Sequence, residues 1–152
     1  MAKCWVGFDG FGLDGVDEEY IHFVFDVIVS MTKMKEGAEV GVVLCDDDFI
    51  QDLNKKYRGK DYVPNVLTFV YGEIAKDDFI GDDDNYLGDV YICKSQVKKG
   101  ADELGVTLKD EFARLFVHGV LHLQGMEHDN DVKATEMEEL EDKILSQILS
   151  VG

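Results

Sequence analysis

The sequence predicts a small mixed β-sheet of about four strands covered by helices, in a single domain over residues 1–152. Three observations carry that expectation. The chain has 152 residues, 45% of them apolar, which suits one core. Short β-branched runs and amphipathic stretches follow one another in the order β-α-β-α-β-β-α-α-α. There is one proline and no Ser/Gly-rich linker to mark a domain boundary.

KCWVGF, residues 3–8, reads as a short strand. DEEYIHFVFDVIVSMTKMK, 17–35, fits a helix with acid at its start, lysines at its end and Gly37 beyond. EVGVVLC, 39–45, is a β-branched strand, and the aspartates after it can cap a helix through FIQDLNKKY. RGKDYVPN, 58–65, is a Gly/Pro-containing loop leading to the strand VLTFVYG, 66–72. The acidic DDFIGDDDN, 77–85, reads as an exposed loop. LGDVYICK, 87–94, is the last strand, with a short helix near Ser95 after it. Thr107 with Asp110 resembles a capping box before LKDEFARLFVHGVLHLQG, and Gly125 supplies the stop. Asp131 opens a final helix with Met137, Leu140, Ile144 and Ile148 on one face.

Composition narrows the function. Cys4, Cys45 and Cys93 are odd in number, far apart and set in apolar runs, so reduced core thiols are expected rather than disulfides or a CxxC metal site. The N-terminus lacks the basic and apolar regions of a signal peptide, and FVFDVIV, 23–29, is too short to span a bilayer. A cytoplasmic protein without a membrane partner is expected. The net charge of −17 disfavours non-specific polyanion binding, but base collects locally in KKYRGK, 55–60, and around Lys94, Lys98 and Lys99.

HGVLHLQGMEH, 118–128, carries the chemistry. His118 and His122 lie at i and i+4 on the predicted helix, with Cβ atoms about 5–6 Å apart. Gly125 allows a sharp turn by which His128 can return to the same ion. Three neutral nitrogen ligands suit Zn²⁺ and leave a position for water, whose pKa the ion lowers to about 7. Nickel or copper would also accept three histidines. The spacing is that of the metzincin motif H-E-x-x-H-x-x-G-x-x-H, with Gly119 in place of the glutamate that works the water in a peptidase. Glu127, Asp129 and Asp89 are the candidates for a displaced base; for Glu127 and Asp129 a supporting or surface role is favoured. His22, in an apolar helix, is read as structural.

HGVLHLQGMEH resembles the H-G-x-L-H-L-x-G-Y-D-H motif of the YbeY family of bacterial endoribonucleases. NKKYRGKDYVPNVLTF, 54–69, is similar to the family's L-N-x-x-Y-R-G-K-D-R-P-T-D-V-L-S-F-P, and LGDVYIC, 87–93, to L-G-D-I-V-I-C. Tyr62-Val63-Pro64-Asn65 departs from R-P-T-D, Met126-Glu127 from Y-D, and Val70 from a proline. The resemblance implies an α+β fold with the metal site on a long helix of the C-terminal half. It implies a metal-dependent, single-strand-specific endoribonuclease of ribosomal RNA maturation and ribosome quality control, partnered by the small ribosomal subunit and its associated proteins; DNA is not expected as a partner. Zinc would be held by His118, His122 and His128, and Arg58 would be the other functional position. A guanidinium can hold two phosphate oxygens at once, which fits Arg58 and His118 as the catalytic pair. Lys55, Lys56, Arg58 and Lys60 form the expected substrate groove, although a solvated helix end would carry the same charges. A peptidase with a displaced base and a non-catalytic ribosome-assembly factor are the alternatives.

Overall fold

The computed structural model describes residues 1–10, 12–71, 85–126 and 129–151. Among these residues the elements are β1 (Lys3–Phe8), α1 (Glu18–Met31), β2 (Glu39–Cys45), α2 (Asp47–Arg58), β3 (Val66–Val70), β4 (Tyr86–Cys93), α3 (Lys94–Leu104), α4 (Leu108–Leu123) and α5 (Asp131–Val151), in the order expected. The strands form one mixed sheet, β1-β2-β4-β3, in which β1, β2 and β4 run parallel and β3 is antiparallel to β4. This is the α+β arrangement the sequence predicts. Most of the acidic segment at 77–85 lies outside the described residues.

The central strands are the two longest β-branched runs, and both of their faces are buried, as a sheet covered on two sides requires. Val40, Val42, Leu44, Val90 and Ile92 face the larger core, with Phe25 and Ile28 of α1, Phe112 and Phe116 of α4, and Met137 and Ile144 of α5. On the other face Val43, Tyr91, Cys93 and Phe69 pack with Ile50 of α2. Each fully buried side chain of this size contributes about 1.5–3 kcal/mol.

A buried ammonium ties the strand ends together. Lys94, 8% exposed, donates from Nζ to the Asp9 carbonyl at 2.5 Å and pairs with Asp46 Oδ1 at 2.9 Å. With its carboxylate so engaged, Asp46 sits at the N-cap of α2 without making a side-chain cap bond. Asp47 and Asp48 fall in the first helical turn instead, where they complement the dipole.

Two helix ends differ from expectation. α1 stops at Met31, before the lysines: Thr32 is extended and its hydroxyl donates to the Ile28 carbonyl, which ends the helix a turn early. α2 reaches Arg58, so this arginine closes a helix rather than opening a loop. Gly59 makes the stop in the left-handed region (φ +67), its N–H bonded to the Asn54 carbonyl.

α4 lies on the sheet through Gly119. A Cβ there would stand 2.6 Å from Cγ1 of Val90 and 3.1 Å from Cγ2 of Thr68. Val90 is fully buried and stiff at χ1, so it has little freedom to yield. Gly119→Ala gains about 1 kcal/mol of helix propensity but incurs overpacking of about 1–3 kcal/mol. A net loss of stability is expected, read as a lower urea midpoint with an unchanged slope.

The three cysteines are free and buried. Burial, helped by the charge of Asp26, pushes the Cys4 thiol up from 9.0 to about 12. Its folded pKa is raised, so the associated stability is complete below pH 9 and is lost between pH 9 and about 12. Thermal melting across that window should fall with pH, and Cys4→Ala should flatten part of the fall.

Candidate metal centre

α4 begins at Thr107, whose side chain accepts from the Asp110 N–H at 3.1 Å. It ends in a Schellman turn: Gly125 N–H donates to the His122 carbonyl and Met126 N–H to the Leu121 carbonyl, with Gly125 at φ +91. The chain therefore reverses within three residues of His122. Phe112, Phe116, Val120 and Leu123 point into the core. A polar row of Glu111, Arg114, His118 and His122 follows the spacing of one helix face.

His118 and His122 are brought together. Their Nε2 atoms lie 3.0 Å apart and their rings meet edge to face at 80°. Behind them, Nδ1 of His118 lies 2.6 Å from Oε1 of Glu141 on α5. When Nδ1 carries the proton shared with Glu141, Nε2 of His118 presents its lone pair toward His122. Bonds of about 2.0–2.1 Å at a tetrahedral ion separate two ligand nitrogens by about 3.3 Å. The pair is close to that spacing, and a carboxylate behind a ligating imidazole is the usual support of such a site. The donor set fits a divalent ion that favours nitrogen.

The third predicted ligand, His128, and its neighbour Glu127 lie outside the described residues. Among the described residues no group of three or more His, Cys, Asp or Glu side chains could hold a metal. Asp129 is described and exposed. Asp89 is fully buried and accepts from the hydroxyls of Tyr86 and Tyr91. Both tyrosines belong to the core beneath α2, whereas the next residue, Val90, faces α4. As a displaced base for the histidine site, Asp89 is therefore on the wrong side of the sheet.

Glu141 is the residue that sequence reasoning missed. A signal existed: it stands four residues after Met137 and three before Ile144, on the stripe that α5 buries, yet it is a carboxylate. Beside it, Arg114 holds buried Glu111 with two bonds of 2.7 Å. Those hydrogen bonds push the Arg114 pKa up against burial, with the charges of Glu111 and Glu141 adding to the rise.

The basic residues gather at the end of α2. Lys55, Lys56 and Arg58 occupy its last turn and Lys60 follows Gly59; all four are exposed. Lys55 stands 3.8 Å from Asp61 and Lys56 lies over Tyr57. Arg58 is more firmly placed: Nη2 donates to the Thr68 carbonyl at 2.8 Å, and the guanidinium lies 4.7 Å from the Phe69 ring centre. Thr68 also borders Gly119, so one residue of β3 links the Arg58 contact to the helix of the histidines. Asn54, buried, donates to the Tyr62 carbonyl and holds the departing 59–65 loop. Tyr62, where the resembling motif has arginine, is 53% exposed.

A family model described as "Endoribonuclease YbeY" matches residues 15–149. A relative from Thiobacillus denitrificans named "Endoribonuclease YbeY" is 46% identical over 114 residues, 75% of this chain and 73% of its own length. One of the same name from Sulfurihydrogenibium sp. is 35% identical over 134 residues, 88% of this chain and 84% of its own. A Thermotoga maritima protein solved in solution aligns with a TM-score of 0.64 at 26% identity, covering 97% of this chain and 89% of that one.

If the histidine pair binds zinc, the ion should stabilise the fold by about 2.7 kcal/mol at a hundredfold excess over its Kd. Differential scanning calorimetry should show that rise for wild type and none for His122→Ala.

Proposed function

The chain belongs to the YbeY family, and from that premise we propose that it is a metal-dependent endoribonuclease acting on single-stranded RNA. The observation that carries the reading is the pair of ring nitrogens 3.0 Å apart on α4, beside a position with no room for a side chain. The peptidase glutamate would have to occupy position 119, where even a methyl group would meet Val90 and Thr68. Peptide hydrolysis needs a shuttle for the proton of the leaving amine, and that place on the helix is closed to one. Phosphodiester cleavage depends more on positioning and charge stabilisation. The relatives named as endoribonucleases support the same choice.

His118, His122 and His128 would hold the ion, which we take to be zinc. When bound it supplies Lewis-acid polarisation and a water acidic enough to act near neutral pH. Arg58 would receive the non-bridging phosphate oxygens. Its planar fork suits two of them, and its stacking on Phe69 limits the freedom that must be lost on binding. Lys55, Lys56 and Lys60 would follow the backbone leading to that point. Family membership extends the proposal to ribosomal RNA maturation on the small ribosomal subunit, in the cytoplasm.

Arg58→Ala should retain zinc by elemental analysis yet lose cleavage of single-stranded ribosomal RNA by about 10²–10³-fold, the range for removing one transition-state donor. Arg58→Lys, which keeps the charge, should recover only part of the rate. A variant cutting at the wild-type rate would remove Arg58 from the mechanism. Replacing Lys55 and Lys56 by glutamate should lower RNA affinity and reduce its salt dependence; unchanged binding at low salt would count against the groove.

A further inference from the structure

We infer that Glu141 is a positioning residue for the candidate metal centre: its carboxylate accepts the Nδ1 proton of His118, which fixes that ring's tautomer and aims Nε2 at the ion. The inference rests on the metal reading above and adds a residue from a separate helix to it.

Three observations support it. The first is direction. His118 has two ring nitrogens, and each has its own neighbour: Nδ1 is 2.6 Å from Glu141, while Nε2 is 3.0 Å from His122. A carboxylate serving only to pair charge across two helices could meet either nitrogen. Here it meets the one that leaves Nε2 as the donor atom.

The second is placement. Glu141 lies on the stripe of α5 that includes Met137, Ile144 and Ile148, and its side chain is only 17% exposed. A carboxylate in that setting costs free energy unless it is hydrogen-bonded or paired. An apolar residue would pack there without needing a partner.

The third concerns the neighbouring cation. Arg114 lines the same cleft of about 400 Å³ between α4 and α5 and would be an obvious partner for Glu141. Its guanidinium instead grips both oxygens of Glu111, through Nε and Nη2. The short contact of Glu141 is thus with His118.

The test is competition of metal-free protein with a chromophoric chelator for Zn²⁺, with apo-protein melting recorded for every variant. Glu141→Gln should weaken zinc binding by about 10–100-fold. Glu138→Gln, a carboxylate of the same cleft, should leave it unchanged. In metal-free wild type, imidazole nitrogen NMR should find His118 protonated at Nδ1, a preference lost in Glu141→Gln. Wild-type affinity in Glu141→Gln would overturn the inference and leave the metal reading standing. So would an Nε2-protonated His118 in wild type, a result that requires no variant to fold. Absence of stoichiometric zinc in wild type, or zinc binding that survives both His118→Ala and His122→Ala, would overturn the metal reading and this inference with it.

Discussion

The contact on which the site depends is the approach of α4 to the sheet at Gly119. Because that residue has no Cβ, helix backbone meets Val90 of β4 and Thr68 of β3 with nothing between them. The close packing sets the height of α4 over the strands, and with it the positions of His118 and His122. It also commits the remaining residues of the helix. Those next to the sheet must be apolar or absent, which leaves Arg114 and His118 for the face that α5 approaches. α5 answers with Glu141. The candidate metal centre is therefore a consequence of how one helix is packed between a sheet and a second helix.

Seen this way, packing and chemistry impose the same requirement at one residue. A glutamate at 119 would serve a peptidase, but it would also lift α4 off β3 and β4 and move both histidines. The site gains a well-defined position for its ligands and gives up a proton shuttle on its own helix. What replaces the shuttle must come from elsewhere, and Thr68 shows where the fold has anchored a cation. That residue borders Gly119 with its side chain and receives Arg58 with its carbonyl. The two halves of the proposed machinery thus share one residue of an edge strand.

Much of this was legible in the sequence because it depends on local patterns. The nine elements of the described residues, the capping role of Thr107 and the stop at Gly125 follow from periodicity and turn chemistry over a few residues. So does the convergence of His118 and His122, which i and i+4 spacing alone enforces. The features that escaped are those settled between distant segments. Nothing near Asp89 in the chain tells which face of β4 it occupies; that depends on the pairing of β4 with β2 and β3. The early end of α1 turns on a side-chain bond from Thr32 that competes with continued helix. Arg58 was expected in a loop because Gly59 looks like a loop residue, although a glycine just past a helix is equally a cap. Glu141 was hidden inside an apolar stripe, and its partner lies 23 residues away on another helix.

The charge distribution also acquires a structural account. α2 carries Asp47 and Asp48 at its start and Lys55, Lys56 and Arg58 at its end, the arrangement its own dipole favours. That alone would explain the basic cluster without any ligand, so charge is weak support for a substrate groove. Arg58 is fixed by two contacts, a hydrogen bond to Thr68 and stacking on Phe69, whereas Lys55 has an exposed pairing with Asp61. The overall charge of −17 opposes RNA at long range, but salt screens exposed charges beyond about 8–10 Å. Within that distance a phosphate at the end of α2 meets Arg58, Lys55 and Lys56 of the helix's last turn. An acidic protein can then act on RNA if its substrate is delivered to that end, and this is the physical reason for a ribosomal partner in the proposed function.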